Sequence, residues 1–251
     1  MRIEYKYFIP WQIKPHLLQD IKLFVDNDHN LISKRESYSV ASIYFDNIFY
    51  KCYDDKEAGL QSRNKVRIRF YPDSSGKFFA NLEIKAKRFD KGFKVKHLLN
   101  LELVKLLLAN RNISEIEPAI TGNDDGLINT IKYLKSENMF PMVRIDYRRQ
   151  AFFGRIDKDL RITMDQDIKC CASASLDNVP EISIPTNGNL LSILEIKSTN
   201  NIPFWLNKIL EKYGCQRMAI SKYGMAIERL SQFGQLFNWR KLKQNGLNNF
   251  N

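Results

Sequence analysis

The feature that most constrains this chain is a period-two alternation in which the polar partner is repeatedly a charged residue. In Lys65-Val66-Arg67-Ile68-Arg69-Phe70, three bases fall on one face of an extended segment and three apolar residues on the other, because successive strand side chains point to opposite faces. Arg2, Glu4 and Lys6 alternate in the same way with Ile3, Tyr5 and Tyr7. The arrangement returns in Leu82-Glu83-Ile84-Lys85-Ala86-Lys87, Arg161-Ile162-Thr163-Met164-Asp165 and Leu194-Glu195-Ile196-Lys197. Tyr38 to Phe45, Phe93 to Lys96 and Met142 to Phe153 supply further strands, and about eight strands are enough to close a barrel.

Helical patterns lie between the strands without following each one, which indicates α+β and excludes a regular βαβ repeat. Pro10 to Val25 carries Leu17, Leu18, Ile21, Phe24 and Val25 at helical spacing, and Leu98 to Ala109 and Asp124 to Lys135 have comparable patterns. Pro203 opens another helix through Leu210, and Tyr223 to Leu230 begins the last. Asn27 to Ser37, Asp73 to Gly76, Thr121 to Gly126 and Cys170 to Asn189 read as loops from their Gly, Pro, Ser, Asn and Asp content.

A solvent-facing sheet surface explains any one charged strand. Its recurrence in strands spread through the chain points instead to a barrel with the charged faces inward. Such a lumen is unstable without an anion, because buried like charges must be paired or neutralised, and a polyphosphate suits it. The 251 residues carry 39 Lys and Arg against 28 Asp and Glu, a net charge of +11, which also favours an anionic ligand. Cys52, Cys170, Cys171 and Cys215 have no CxxC spacing and His16, His29 and His97 form no ligand pattern, which argues against zinc and thiol chemistry. Met1 to Tyr7 lacks the apolar core of a secretory signal. The apolar stretch at Leu98 to Ala109 is interrupted by Asn100, Glu102 and Lys105, far short of the ~20 apolar residues of a membrane span. The expected location is cytoplasmic, with any membrane association peripheral, at an inner membrane.

These motifs, in order, carry a resemblance. Glu4-Tyr5-Lys6-Tyr7, Ser42-Ile43-Tyr44-Phe45-Asp46, Lys65 to Tyr71, Leu82 to Lys85 and Lys94-Val95-Lys96 are followed by Tyr147 to Phe152, Arg161 to Asp165, Leu194 to Lys197 and Ser221-Lys222-Tyr223-Gly224. Together they resemble the VTC domain, the catalytic module of the vacuolar transporter chaperone polyphosphate polymerases, within the triphosphate tunnel metalloenzyme superfamily. The resemblance implies an eight-stranded antiparallel β-barrel tunnel with flanking helices over residues 1–230, followed by a basic aromatic tail over 231–251. It implies transfer of the γ-phosphate of ATP to a growing polyphosphate chain with Mn²⁺ or Mg²⁺. Lys6, Arg67, Arg69, Lys85, Arg149 and Arg161 would be catalytic, and with Lys94, Lys96, Lys197 and Lys222 they would bind phosphate. Glu195 would ligate the metal; Glu4 and Glu83 are either further ligands or salt-bridge partners of neighbouring bases, and Asp165 is similarly divided.

Arg149 shares its parity with Val143, Ile145 and Tyr147, so a lumen apolar at one end, or a bulge, is needed. The same lumen also suits a tunnel triphosphatase or a noncatalytic polyphosphate-binding subunit. Nucleic acid is not expected as a partner, since the bases alternate with acids and no recognition motif is present. The tail, with Phe237, Trp239, Arg240, Lys241 and Lys243, either frays or docks on a membrane surface or a membrane-protein partner.

Overall fold

A computed structural model describes residues 3–28, 36–72, 78–89, 91–120, 124–172, 175, 180–184, 191–199 and 201–236. The strands on the main path are β1 (Ile3–Pro10), β3 (Tyr38–Asp46), β4 (Ser62–Pro72), β5 (Phe78–Arg88), β6 (Lys91–Leu99), β7 (Phe140–Gly154), β8 (Arg161–Cys171) and β10 (Leu191–Ser198). They form one antiparallel sheet in the order β1-β10-β8-β7-β3-β4-β5-β6. The short strands β2 (Val25–Asn27) and β9 (Ile182–Ser183) add to β7 and β8.

The sheet curls until its ends face each other. Lys85 on β5 reaches Glu4 on β1 at 2.8 Å although the two strands stand near opposite ends of the path. Curling leaves one seam. Among the described residues β6 pairs only with β5, and the free edge of β1 is covered by the segment before the last helix, through Met218 N–H donating to the Lys6 carbonyl at 2.9 Å and a bridge between Tyr7 and Arg217.

Apolar residues on the convex face are covered by helices in two groups. Helices α1 (Lys14–Lys22) and α6 (Phe204–Lys212) bury Leu17, Ile21, Leu206 and Leu210 against Ile9, Ile162, Leu194 and Ile196. The larger cluster takes in α2 (Lys51–Glu57), α3 (Leu101–Leu108), α4 (Ile113–Ile116), α5 (Asp125–Ser136) and α7 (Lys222–Gln232). Helix α7 enters the concave side. Its Tyr223, Ala226 and Ile227 share a buried cluster with Val143, Ile145 and Ile193, residues whose ladder positions put them on the charged face. The lumen is therefore apolar at one end, which reconciles Arg149 with the parity of Val143 and Ile145. A bulge in β8 contributes: Asp167 adopts φ 53° between the pairs Arg148↔Gln166 and Asp146↔Lys169, so Cys170 turns inward and Lys169 outward beyond it.

Two helices begin later than the sequence pattern indicates. Pro10 ends β1 and Pro15 is the proline that opens α1. Leu98 and Leu99 finish β6, because the Asn100 side chain caps the Leu103 N–H at 2.8 Å and starts α3 there. No helix among the described residues is long and apolar enough to cross a membrane. Phe237, Trp239, Arg240, Lys241 and Lys243 lie outside the described residues.

Candidate functional site

Ladder pairing puts the candidate bases and acids of the sheet on a single face. Lys6 stands opposite Glu195, Glu4 opposite Lys197, and Lys197 opposite Arg161. Arg149 pairs with Asp165, Arg67 with Glu83, Lys65 with Lys85, Glu83 with Lys96 and Lys85 with Lys94. Contacts between strands that are not neighbours identify this face as concave, as with Lys85 and Glu4. Lys222 joins from the first turn of α7, its ammonium 2.6 Å from Asp165.

Three clusters make up the lining. In the first, Glu4 contacts Lys6 at 2.9 Å and Lys85 at 2.8 Å, and Glu195 contacts Lys197 at 2.5 Å. Burial would raise the Glu195 carboxyl, but Lys197, Lys6, Arg149 and Lys222 outweigh it and hold the group well below the usual carboxylate range. Burial and Glu195 both oppose ionisation of Glu4, and Lys6, Lys85 and Lys197 overcome them. The two carboxylates thus sense each other and remain anionic.

In the second cluster Glu83, whose side chain is 1% exposed, accepts from Arg67 Nε and Nη2 at 2.9 and 2.7 Å and lies 2.8 Å from Lys94 and 3.9 Å from Lys96. Burial acts to raise this carboxyl, yet Arg67, Arg69 and Lys94 bring it down to about 2. Its contacts are those of an ion-pair partner, apart from the Glu4 and Glu195 pair. In the third, Asp165 is fully buried and accepts from Arg149 Nε and Nη2 at 2.6 and 2.7 Å while holding Lys222. Arg161 lies outside these clusters, 3.4 Å from Asp28 and against the Phe153 ring. Lys85, Lys94, Lys96 and Lys197 are the more exposed bases, toward solvent, whereas Arg69 and Arg149 are buried.

Several participants were not singled out as site residues. Tyr44 accepts from Arg67 Nη1 at 2.9 Å; burial would raise its phenol, but Arg67, Lys65 and Arg69 bring it down to about 6. Lys65 is half-buried beside it, 4.7 Å above the Tyr44 ring, and desolvation, reinforced by Arg67, Lys6 and Lys222, pushes its ammonium down to about 7 against the pull of Tyr44. The Tyr147 hydroxyl and Thr163 Oγ1 are buried on the same face with no hydrogen-bond partner among the described residues. The signal for Lys65 is in the alternation itself, which makes it the first of three bases on one face of β4; Tyr44 reads as an ordinary core aromatic.

The arrangement is a concave surface lined by cations and their paired carboxylates. Bases outnumber the carboxylates Glu4, Glu83, Asp165 and Glu195, and orphaned hydroxyls offer further donors. Paired guanidinium forks suit bidentate capture of phosphate oxygens. No three His, Cys, Asp or Glu side chains converge as a complete metal cluster among the described residues. The neighbouring carboxylates Glu4 and Glu195 nevertheless offer anionic oxygens of the kind that suit a hard divalent cation.

A family model described as the VTC domain matches residues 1–231. Among solved structures, a "putative adenylate cyclase" from Bacillus halodurans is similar over 88% of this chain and 94% of its own, with a TM-score of 0.54 and 11% sequence identity. A protein from Pyrococcus horikoshii OT3 covers 91% of this chain and 99% of its own, with a TM-score of 0.48 and 12% identity. No curated protein matches the chain.

Proposed function

Because the chain belongs to the VTC domain family, we propose that it is a polyphosphate polymerase, transferring the γ-phosphate of ATP to a growing inorganic polyphosphate chain within the lumen. The observation that carries this reading is the surplus of inward bases over inward acids. Each acid is already engaged by two or more bases, so the remaining positive charge calls for more than the protein's own counterions. An acceptor chain lying in line with a triphosphate supplies that second anion.

Phosphoryl transfer asks little covalent work of the protein and much positioning and charge neutralisation. Arg67 and Arg69 on β4 and Arg149 on β7 would clamp phosphate oxygens from either side of β3, with Arg161, Lys6 and Lys222 adding charge. Lys85, Lys94, Lys96 and Lys197, nearer solvent, would hold the chain where it enters or leaves. Asp165 would keep Arg149 and Lys222 oriented while free of substrate. The acceptor is already an oxyanion, so no general base is required. Glu4 and Glu195 would hold Mn²⁺ or Mg²⁺, which would supply charge neutralisation for the transferred phosphoryl group.

A tunnel triphosphatase is the second reading, and the observation in its favour is α7, whose apolar face fills one end of the concave side and limits the room for a long acceptor. Purified protein incubated with ATP and Mn²⁺, with and without a short polyphosphate primer, separates the two. A polymerase gives ADP and lengthened chains, faster with primer and with little free phosphate. Release of free phosphate, inhibited by primer, would assign the triphosphatase.

A further inference from the structure

Lys65 differs from most of the lumen bases in what it touches. Lys6, Arg67, Lys85, Lys94, Lys96, Arg149, Arg161, Lys197 and Lys222 each contact a carboxylate within 4 Å. Lys65 and Arg69 have no carboxylate partner among the described residues. Arg69 donates to Ser42 Oγ at 3.1 Å and to the Tyr71 hydroxyl at 3.2 Å. The Lys65 ammonium instead lies 4.7 Å from the Tyr44 ring centre and 5.5 Å from that of Tyr223, with one long hydrogen bond of 3.4 Å to Ser221 Oγ, the cap of α7.

Its charged neighbours are cationic apart from Tyr44, whose phenol is brought down to about 6 and alone pulls toward the ammonium. Arg67 and Arg69 follow it on β4, Tyr44 faces it from β3, Lys85 stands opposite on β5, Lys6 approaches from β1, and Lys222 and Tyr223 come from α7. Aromatic faces attract a cation only weakly compared with a carboxylate. With Tyr44 as its one anionic neighbour and no carboxylate partner among the described residues, this ammonium has room for an anion arriving from outside.

We propose that Lys65 is a further phosphate-binding residue whose positive charge is completed by the bound phosphate chain, so that anion binding draws a proton into the lumen. This rests on the lumen being a phosphate-chain site, as proposed above. The proton balance is explicit. On this reading Lys65 holds its proton less tightly in the empty site, because burial together with Arg67, Lys6 and Lys222 disfavours the ammonium. Phosphate oxygens beside Nζ favour the ammonium, and the amine nitrogen takes one proton from buffer to form –NH₃⁺. Tyr44 responds in the same sense, since an added anion disfavours its phenolate, so the two groups titrate as a pair.

Isothermal titration of the whole protein with tripolyphosphate at pH 7.5, without metal, in two buffers of different ionisation enthalpy measures the proton uptake directly. The phosphate's own titration is common to every variant, so the differences report the protein. Lys65→Arg keeps the charge permanently; uptake should fall by half or more while affinity stays within about threefold. Lys65→Met should lose about tenfold or more in affinity, the size of one charge-assisted contact. Uptake unchanged in Lys65→Arg, or lost only in Tyr44→Phe, would overturn the proposal while leaving the phosphate site standing. Failure of the parent protein to bind tripolyphosphate would overturn the site and the proposal together.

Discussion

Replacing Asp165 by Asn removes one charge from the most enclosed ion cluster. The carboxylate is fully buried and takes Arg149 at 2.6 and 2.7 Å and Lys222 at 2.6 Å. Burial acts to raise its pKa, but Arg149 and Lys222 lower it on balance, so the ionised form is the one that stabilises the fold. That contribution is present above the unfolded carboxyl pKa and is lost as pH falls through the lower folded value. The amide keeps the shape yet leaves Arg149 and Lys222 with Glu195 as their remaining counter-charge. Breaking a buried pair in this way costs about 3–5 kcal/mol. At about 2–4 °C per kcal/mol for a domain of this size, the melting temperature should drop by about 6–20 °C at pH 7. Circular dichroism melts would read the drop, and tripolyphosphate should recover more of it in Asp165→Asn than it adds to the parent, since the anion replaces the missing charge. A variant melting within about 2 °C of the parent would refute the reasoning.

Glu195→Gln should abolish metal-dependent turnover of ATP while leaving polyphosphate binding without metal intact or slightly stronger, because one negative charge leaves the lumen; turnover with Mn²⁺ at the parent rate would remove Glu195 from the metal site. Glu83, held down to about 2 by Arg67, Arg69 and Lys94 against the upward pull of burial, should stabilise the fold above the usual carboxyl range and lose that contribution as pH falls from about 4.5 toward 2. Melts across this range should show a steeper acid loss in the parent than in Glu83→Gln, and parallel curves would contradict the assignment. Binding of polyphosphate should weaken steeply and linearly on a log–log plot with salt, as neutralisation by many bases requires; a flat dependence would mean that few of the lumen bases touch it.

Much of the sheet is legible in the sequence, for a physical reason. Within an unbulged stretch the pleat fixes parity, so Lys65, Arg67 and Arg69 had to share a face, and Glu83 with Lys85 and Glu195 with Lys197 followed by the same rule. What parity leaves open is which face is concave, and the long-range contact of Lys85 with Glu4 supplies that answer. Helix starts were less legible because apolar spacing does not distinguish a strand end from a first turn; Leu98 and Leu99 read as helix until the Asn100 cap is seen. The seven-residue α2 escaped the pattern because the Asp46 carboxylate, by accepting from Cys52 and Tyr53 N–H at 2.9 and 3.2 Å, stabilises a helix too short to announce itself. Within the site, charge types were readable and their pairing was not. Glu83 and Asp165 differ from Glu4 and Glu195 only in which bases surround them, and that depends on strand order.

The most direct test of the central claim is a crystal structure of the protein with tripolyphosphate bound. Phosphate density lying within the concave face, contacted from β4 by Lys65, Arg67 and Arg69 and from β7 by Arg149, is the result expected. Density confined to the convex surface, or an empty lumen at saturating tripolyphosphate with the ion pairs of Asp165 and Glu83 unchanged, would contradict it.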